Sequence, residues 1–317
     1  MIEARHLTKE FGQITAVDDI SFSVGPGEVL GFLGPNAAGK STTMRMITGF
    51  LPPTGGTALI GGDDIVERSL SARRKLGYLP ENAPVYPDMT VKGFLSFVAE
   101  IRGFSGRDGT QRIEETIERC FLSVVRYQAI NTLSKGFKQR VCFAQSILHD
   151  PPYLIMDEPT DGLDPNQKHE VRSMIRDMAR EKTIILSTHN LEEVEAVCTR
   201  AIIISEGRIV ADDSPAALKE RSSFHGAVCF TLKKVEGDVL QVVNGIPGVK
   251  ASERLEEVDS EATFRAYPEN PASPPVDGIV HCFLERGWPL ERIYVEQGRL
   301  DEVFRMIATG ETGSKGI

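Results

Sequence analysis

The sequence predicts an α/β fold centred on a parallel sheet, followed by a smaller α+β module. Three observations carry this. The loop Gly34-Pro35-Asn36-Ala37-Ala38-Gly39-Lys40-Ser41-Thr42 follows a short apolar run and opens a helical stretch. That is the strand–loop–helix setting in which G-x-x-x-x-G-K-[ST] cradles phosphates. Apolar strands then alternate with amphipathic helices to about residue 210, the pattern of a parallel sheet. Composition shifts near Ser222-Ser223, and a further set of strands and helices follows. The predicted organisation is a domain over 1–222 with a helical insertion at about 84–150, a small α+β domain over 223–310, and a disordered tail over 311–317.

With 317 residues the chain can bury two cores. At 41% hydrophobic and 26% charged it has the composition of a soluble globular protein. Its net charge of −9 argues against a nucleic-acid surface as the main partner. The five cysteines are scattered, with no C-x-x-C pair. Most are therefore expected to be core thiols in a reducing compartment. No apolar run approaches the roughly 20 residues needed to cross a bilayer. Residues 1–5 lack a signal-peptide pattern. A cytoplasmic protein is expected, with any membrane role exercised through a partner.

In chain order, Ile20, Phe22 and Val24 alternate with Ser21 and Ser23 as a half-buried strand. Gly25-Pro26-Gly27 turns the chain into the strand before the phosphate loop. Phe11 is either a flat surface for adenine or an aromatic closing a small sheet. After the loop, residues 57–60 read as a strand, 73–79 as the entry to another, and 80–84 as a loop. Apolar residues at helical spacing predict helices over 90–102 and 110–125. Ser134 is a candidate N-cap for the next helix. Strands follow at 153–156, 183–186 and 201–205, with an amphipathic helix over 167–180. Beyond 222, strands at 227–232, 262–266 and 292–296 and helices at 237–246, 276–286 and 300–308 suggest a βαββαβ module with an added helix. One of its strands is not identifiable.

The chemistry starts at 34–42. Gly34 and Gly39 let successive backbone N–H groups face one concavity, an anion nest, and the following helix adds its positive end. Lys40 can reach β- and γ-phosphates, and the Ser41 hydroxyl can ligate Mg²⁺. Asp157-Glu158 end the apolar strand 153–156, at the strand end where open α/β sheets bind ligands. Asp157 can hold the metal ion, partly through water, and Glu158 can orient or deprotonate an attacking water. Both could instead be a surface acidic turn. His189 follows the strand 183–186. If the strands are parallel it lies at the same edge, within reach of the γ-phosphate.

These residues, in this order, resemble the ATP-binding subunits of ABC transporters over residues 1 to about 215. The resemblance makes 34–42 the Walker A motif and 154–159 the Walker B motif, with Glu158 the expected catalytic base. It makes 133–140 the signature, Leu163-Asp164 the D-loop and His189 the switch histidine. It implies that Phe11 stacks on adenine. It implies that Ser134, Lys135, Gly136 and Phe137 act on ATP bound to the other subunit, where the residues alone show only a capped helix. ATP and Mg²⁺ are the implied ligands. A homodimer or paired cassette and an integral-membrane permease are the implied partners, placing the protein at the inner face of the cell membrane. The Leu133-Ser134-Lys135-Gly136-Phe137, Gly77-Tyr78-Leu79-Pro80-Glu81 and Gly162-Leu163-Asp164-Pro165-Asn166-Gln167 segments are similar to the branch serving export permeases, which includes gliding-motility subunits. The segment Leu300-Asp301-Glu302-Val303-Phe304 resembles the end of that branch's small appended domain.

Three departures from the family pattern stand out. Ala37 replaces a glycine. Glu81 replaces the Q-loop glutamine, so that position accepts hydrogen bonds but does not donate them; Glu81 is still expected to contact Mg²⁺ or the attacking water. Lys135 and Phe137 replace the signature's glycine and glutamine. The expectation is an ATPase that drives export. A soluble ABC-type ATPase without a transport role and a degenerate regulatory cassette are the alternatives.

Overall fold

The computed structural model describes residues 1–82, 84–233, 237–258 and 261–309. The chain divides into two compact units, Met1–Pro215 and Ala216–Ile317. The expected tail over 311–317 and Ala83 of the 80–84 loop lie outside the described residues.

In the first unit β1 (Ile2–Phe11) and β2 (Ile14–Val24) pair antiparallel. In β2, Ile20, Phe22 and Val24 are buried and Ser21 and Ser23 exposed, as the alternation predicts. β3 (Val29–Leu33) is buried along its whole length, as a central parallel strand must be. The phosphate loop leads from it into α1 (Lys40–Ile47). β4 (Gly55–Ile60) and the short β5 (Asp63–Asp64) complete a sheet of order β2-β1-β4-β5. Arg73 and Arg74 close α2 (Ser69–Arg74), where the sequence suggested the entry to a strand. Cations suit the negative end of a helix, and β6 (Leu76–Leu79) starts only afterwards.

Three helices follow: α3 (Val91–Ile101), α4 (Gly106–Arg119) and α5 (Lys135–Ile147). α4 starts and ends earlier than the predicted 110–125, and Ser123–Val125 form a separate 3-10 turn. Val91, Phe94, Leu95, Ile113, Ile117 and Val141 of these helices bury their apolar stripes in one core. β7 (Tyr153–Asp157), α6 (Pro165–Ala179), β8 (Thr183–Thr188), α7 (Leu191–Val197), β9 (Arg200–Ser205) and β10 (Arg208–Asp213) finish the unit.

The central sheet has the order β10-β9-β3-β8-β7-β6. Its pairs are parallel except for β10, which runs antiparallel on β9. The register sets Leu33 beside Thr188, Asp157 beside Ser187 and Leu79 beside Met156. The ends of β3, β8, β7 and β6 therefore meet at one edge of the sheet.

The division between units falls at α8 (Pro215–Lys219). Ser222 and Ser223 stand with the second unit, because both hydroxyls donate to Glu302. There β11 (Val228–Lys233), α9 (Val239–Asn244), β12 (Val249–Val258), β13 (Glu261–Pro268), α10 (Val276–Arg286), β14 (Leu290–Val295) and α11 (Leu300–Thr309) follow in order. The antiparallel sheet has the order β12-β13-β11-β14, the arrangement of a split βαβ fold. The strand missing from the sequence reading is β12. Its core packs Phe230 against Phe264 and Phe283, at centroid distances of 5.4 and 4.9 Å. Cys120, Cys142 and Cys229 are buried thiols, and all five cysteines are free. Among the described residues no helix is long and apolar enough to cross a membrane.

Candidate functional site

The phosphate loop is tight because its neighbours are close. A Cβ on Gly39, which has φ +107°, would lie 2.5 Å from the Ala16 carbonyl oxygen, so only glycine fits there. Ala37 has φ +66° and is exposed. The position does require a left-handed backbone, and alanine carries the strain there. Gly39 caps α1 without a side-chain hydrogen bond, and the first turn of α1 holds no carboxylate. Its free N–H groups are therefore available to an anion.

Lys40 is 8% exposed, and its Nζ donates to the carbonyls of Gly34 (2.6 Å) and Pro35 (3.0 Å). Burial lowers the pKa of Lys40, while the carboxylates of Glu158, Asp157 and Glu81 oppose that shift. One lysine and three acids therefore converge on the loop. Glu81 stands exposed just beyond β6.

The Ser41 hydroxyl donates to Asp157 Oδ1 at 3.3 Å. Asp157 is 1% exposed, and the Ser187 hydroxyl donates to the same oxygen. A buried carboxylate held by neutral hydroxyls beside a phosphate nest fits a divalent cation. Among the described residues no three His, Cys, Asp or Glu side chains gather to hold a metal ion.

Glu158 leaves β7 with φ +51°, its N–H donating to the Ser187 carbonyl at 3.0 Å. This turn aims its carboxylate across the sheet edge. Oε1 lies 2.8 Å from His189 Nδ1, and Oε2 accepts from the Thr188 hydroxyl at 3.4 Å. The Glu158 side chain is 12% exposed and that of His189 61%. Lys40, Ser41, Glu81, Asp157, Glu158 and His189, predicted from separate segments, thus form one constellation.

The other predicted residues lie apart from it. Phe11 ends β1 half-exposed, outside the cores, with Lys9 Nζ 5.3 Å above its ring. Ser134 caps α5 by accepting from Phe137 N–H at 3.3 Å, and Asp164 caps α6 by accepting from Gln167 N–H at 2.9 Å. Among the described residues no hydrogen bond or ion pair joins Ser134, Lys135, Gly136 or Phe137 to the phosphate loop. The sequence reading missed Ser187 and Thr188, which hold the two carboxylates. Their signal was position: they end the strand before His189. It also missed Glu193, 2% exposed, whose pKa is raised by burial.

A family model described as ABC transporter matches residues 17–161. The Nod factor export ATP-binding protein I of Paraburkholderia xenovorans is 40% identical over 218 residues, covering 68% of this chain and 72% of that protein. The chain belongs to the ABC transporter family. The probable multidrug ABC transporter ATP-binding protein YbhF of Escherichia coli is 39% identical over 224 residues. That match takes in 70% of this ABC chain and 39% of YbhF, so the chain spans about two-fifths of that relative. A solved ATP-binding subunit of an ABC transporter is 29% identical with a TM-score of 0.65, covering 70% of this chain and 92% of the other. The first unit thus has the fold of an ABC cassette.

Proposed function

We propose that this ABC chain binds and hydrolyses ATP as half of a dimer and thereby drives a separate membrane permease in export. The observation that carries the reading is the 2.8 Å contact of His189 with Glu158, beside the buried Asp157 that Ser41 reaches.

In this reading the amides of 34–42 and the Lys40 ammonium hold the β- and γ-phosphates, and the half-exposed Phe11 ring stacks on adenine. Ser41 and Asp157 would hold Mg²⁺ with Glu81 beside them; the bound ion neutralises charge on the phosphate oxygens. Glu158 takes the proton of the attacking water. In this reading His189 fixes the Glu158 carboxylate by donating from Nδ1, and contact of Nε2 with the γ-phosphate requires a second N–H on the ring. Thr188 and Ser187 keep the Glu158 and Asp157 carboxylates in place.

One chain supplies one wall of the site. Ser134, Lys135, Gly136 and Phe137 open α5, and a helix N-terminus suits the γ-phosphate of ATP bound to a second cassette. Asp164 lies in the turn between Glu158 and α6. The pairing is a homodimer or a paired cassette. The helical layer α3–α5 is the permease contact, with Tyr86 standing half-exposed over Phe97 at 5.4 Å. The permease would hold the subunit at the inner face of the membrane. Export is supported by a relative named for Nod factor export and by the branch resemblance read from the sequence, which includes gliding-motility subunits.

Glu158→Gln removes the base and keeps the shape. ATP binding should persist while phosphate release slows by at least about 100-fold. Turnover equal to the parent's would take Glu158 out of this role.

A further inference from the structure

Lys135 stands where the resembled family has glycine, and its side chain has a definite place. Its Nζ lies 2.7 Å from Asp161 Oδ2. Its aliphatic stem lies across Gly162, which has φ +70°. A Cβ there would stand 2.5 Å from Lys135 Nζ and 2.6 Å from its Cδ and Cε. One residue on, the Gln167 side chain covers Gly136: a Cβ on Gly136 would lie 2.4 Å from Gln167 Oε1. The first turn of α5 is thus fitted to the 158–167 segment through an ion pair and two close side-chain approaches.

The other end of that segment is the catalytic turn. The Asp161 N–H donates to the Glu158 carbonyl at 3.2 Å, so the two carboxylates belong to one tight turn. Lys135 is the main influence holding the Asp161 pKa below its usual value, and the His189 imidazole also acts on Asp161. We infer that Lys135 and Asp161 are positioning residues of a latch that joins the first turn of α5 to the turn carrying Glu158 in the same subunit. On the dimeric reading above, closure of α5 on the partner's nucleotide is then transmitted to the hydrolytic carboxylate of the subunit's own site. With the Lys135 side chain engaged by Asp161, the meeting of α5 with the partner's ATP is left to backbone N–H groups, which a side-chain substitution keeps. Loss of the latch should appear in turnover and not in nucleotide affinity.

The test is steady-state ATP hydrolysis by the full chain with Lys135→Ala, Asp161→Ala, the double variant and Lys135→Arg. Both side chains of the pair are exposed, and such a pair supports an effect of about fivefold. Each alanine variant should lower kcat by about that factor with KM for ATP unchanged. The double variant should be no slower than either single, because the two residues act as one unit. Lys135→Arg, which can keep the ion pair with Asp161, should lose less kcat than Lys135→Ala. Additive losses, a raised KM at parental kcat, or unchanged turnover in both single variants would overturn the latch. The inference rests on the proposed ATPase reading, and the two failures differ. Parental turnover insensitive to Glu158→Gln removes that reading and the latch with it. Turnover that requires Glu158 but ignores Lys135 and Asp161 removes the latch alone.

Discussion

Ala37 and Glu158 are the two site residues that hold a left-handed backbone without being glycine, at φ +66° and +51°. For Ala37 the strain is on the order of 1 kcal/mol. Glycine would relieve it but costs roughly 0.4–1 kcal/mol through the freer unfolded chain. Ala37→Gly should therefore leave stability within about 1 kcal/mol of the parent, and nucleotide affinity unchanged. Ala37→Val places a β-branched residue where even alanine is strained, and should cost about 1–3 kcal/mol. Urea denaturation measures both; valine tolerated as well as glycine would contradict a left-handed loop. At this scale much of the site was legible. Lys40, Asp157, Glu158 and His189 each follow an apolar strand, so a parallel sheet alone brings them to one edge. The Glu158–His189 contact was not legible, since it depends on strand register and on the turn at Glu158. The Lys135–Asp161 pair was not legible either: the two residues stand far apart in sequence, and their meeting depends on how the start of α5 packs against the turn after β7.

Among the elements, the apolar ones were read well and the charged ones poorly. β3, β7 and β8 bury nearly every side chain and leave continuous hydrophobic runs. β12 escaped notice because it is an edge strand, exposed along most of its length and carrying Glu253, Arg254, Glu256 and Glu257. Charge on an edge protects against pairing with another chain, and it also erases the alternation by which a strand is recognised. α2 was hidden for a related reason, since its basic last turn runs directly into the apolar β6. Just beyond α5, His149 ties that helix's end to β6 through Nε2 and the Leu76 carbonyl at 3.1 Å. Burial, aided by the Arg102 charge, pushes its pKa down from 6.5 to about 4. Below pH 6.5 the unfolded chain gains a proton that the folded chain refuses until about pH 4. Stability from this group is therefore complete above pH 6.5 and falls as the pH drops toward 4. With partial exposure discounted, the loss is about 2 kcal/mol. His149→Gln keeps a donor for Leu76 and removes the titration. Between pH 7 and pH 5, measured by thermal melts, the parent should lose more stability than this variant. Equal slopes would contradict a depressed His149.

For the whole molecule, the central claim is that the catalytic edge and the start of α5 belong to two different ATP sites. The first unit presents both: the constellation around Lys40, and the capped first turn of α5 that makes no hydrogen bond to it among the described residues. The second unit has its own core, and inside it Arg265 is paired with Glu296 at 2.8 Å and Glu253 at 2.8 Å. Its split βαβ form was legible in outline from three strands and three helices. The composition shift at 222 marked it because its antiparallel sheet leaves many strand positions exposed. The size of the Glu158→Gln full chain, measured by sedimentation with and without Mg²⁺-ATP, tests the claim most directly. Two walls from two chains predict a monomer that becomes a dimer holding two ATP molecules when hydrolysis is blocked. A chain that binds ATP to saturation and still sediments as a monomer would contradict it.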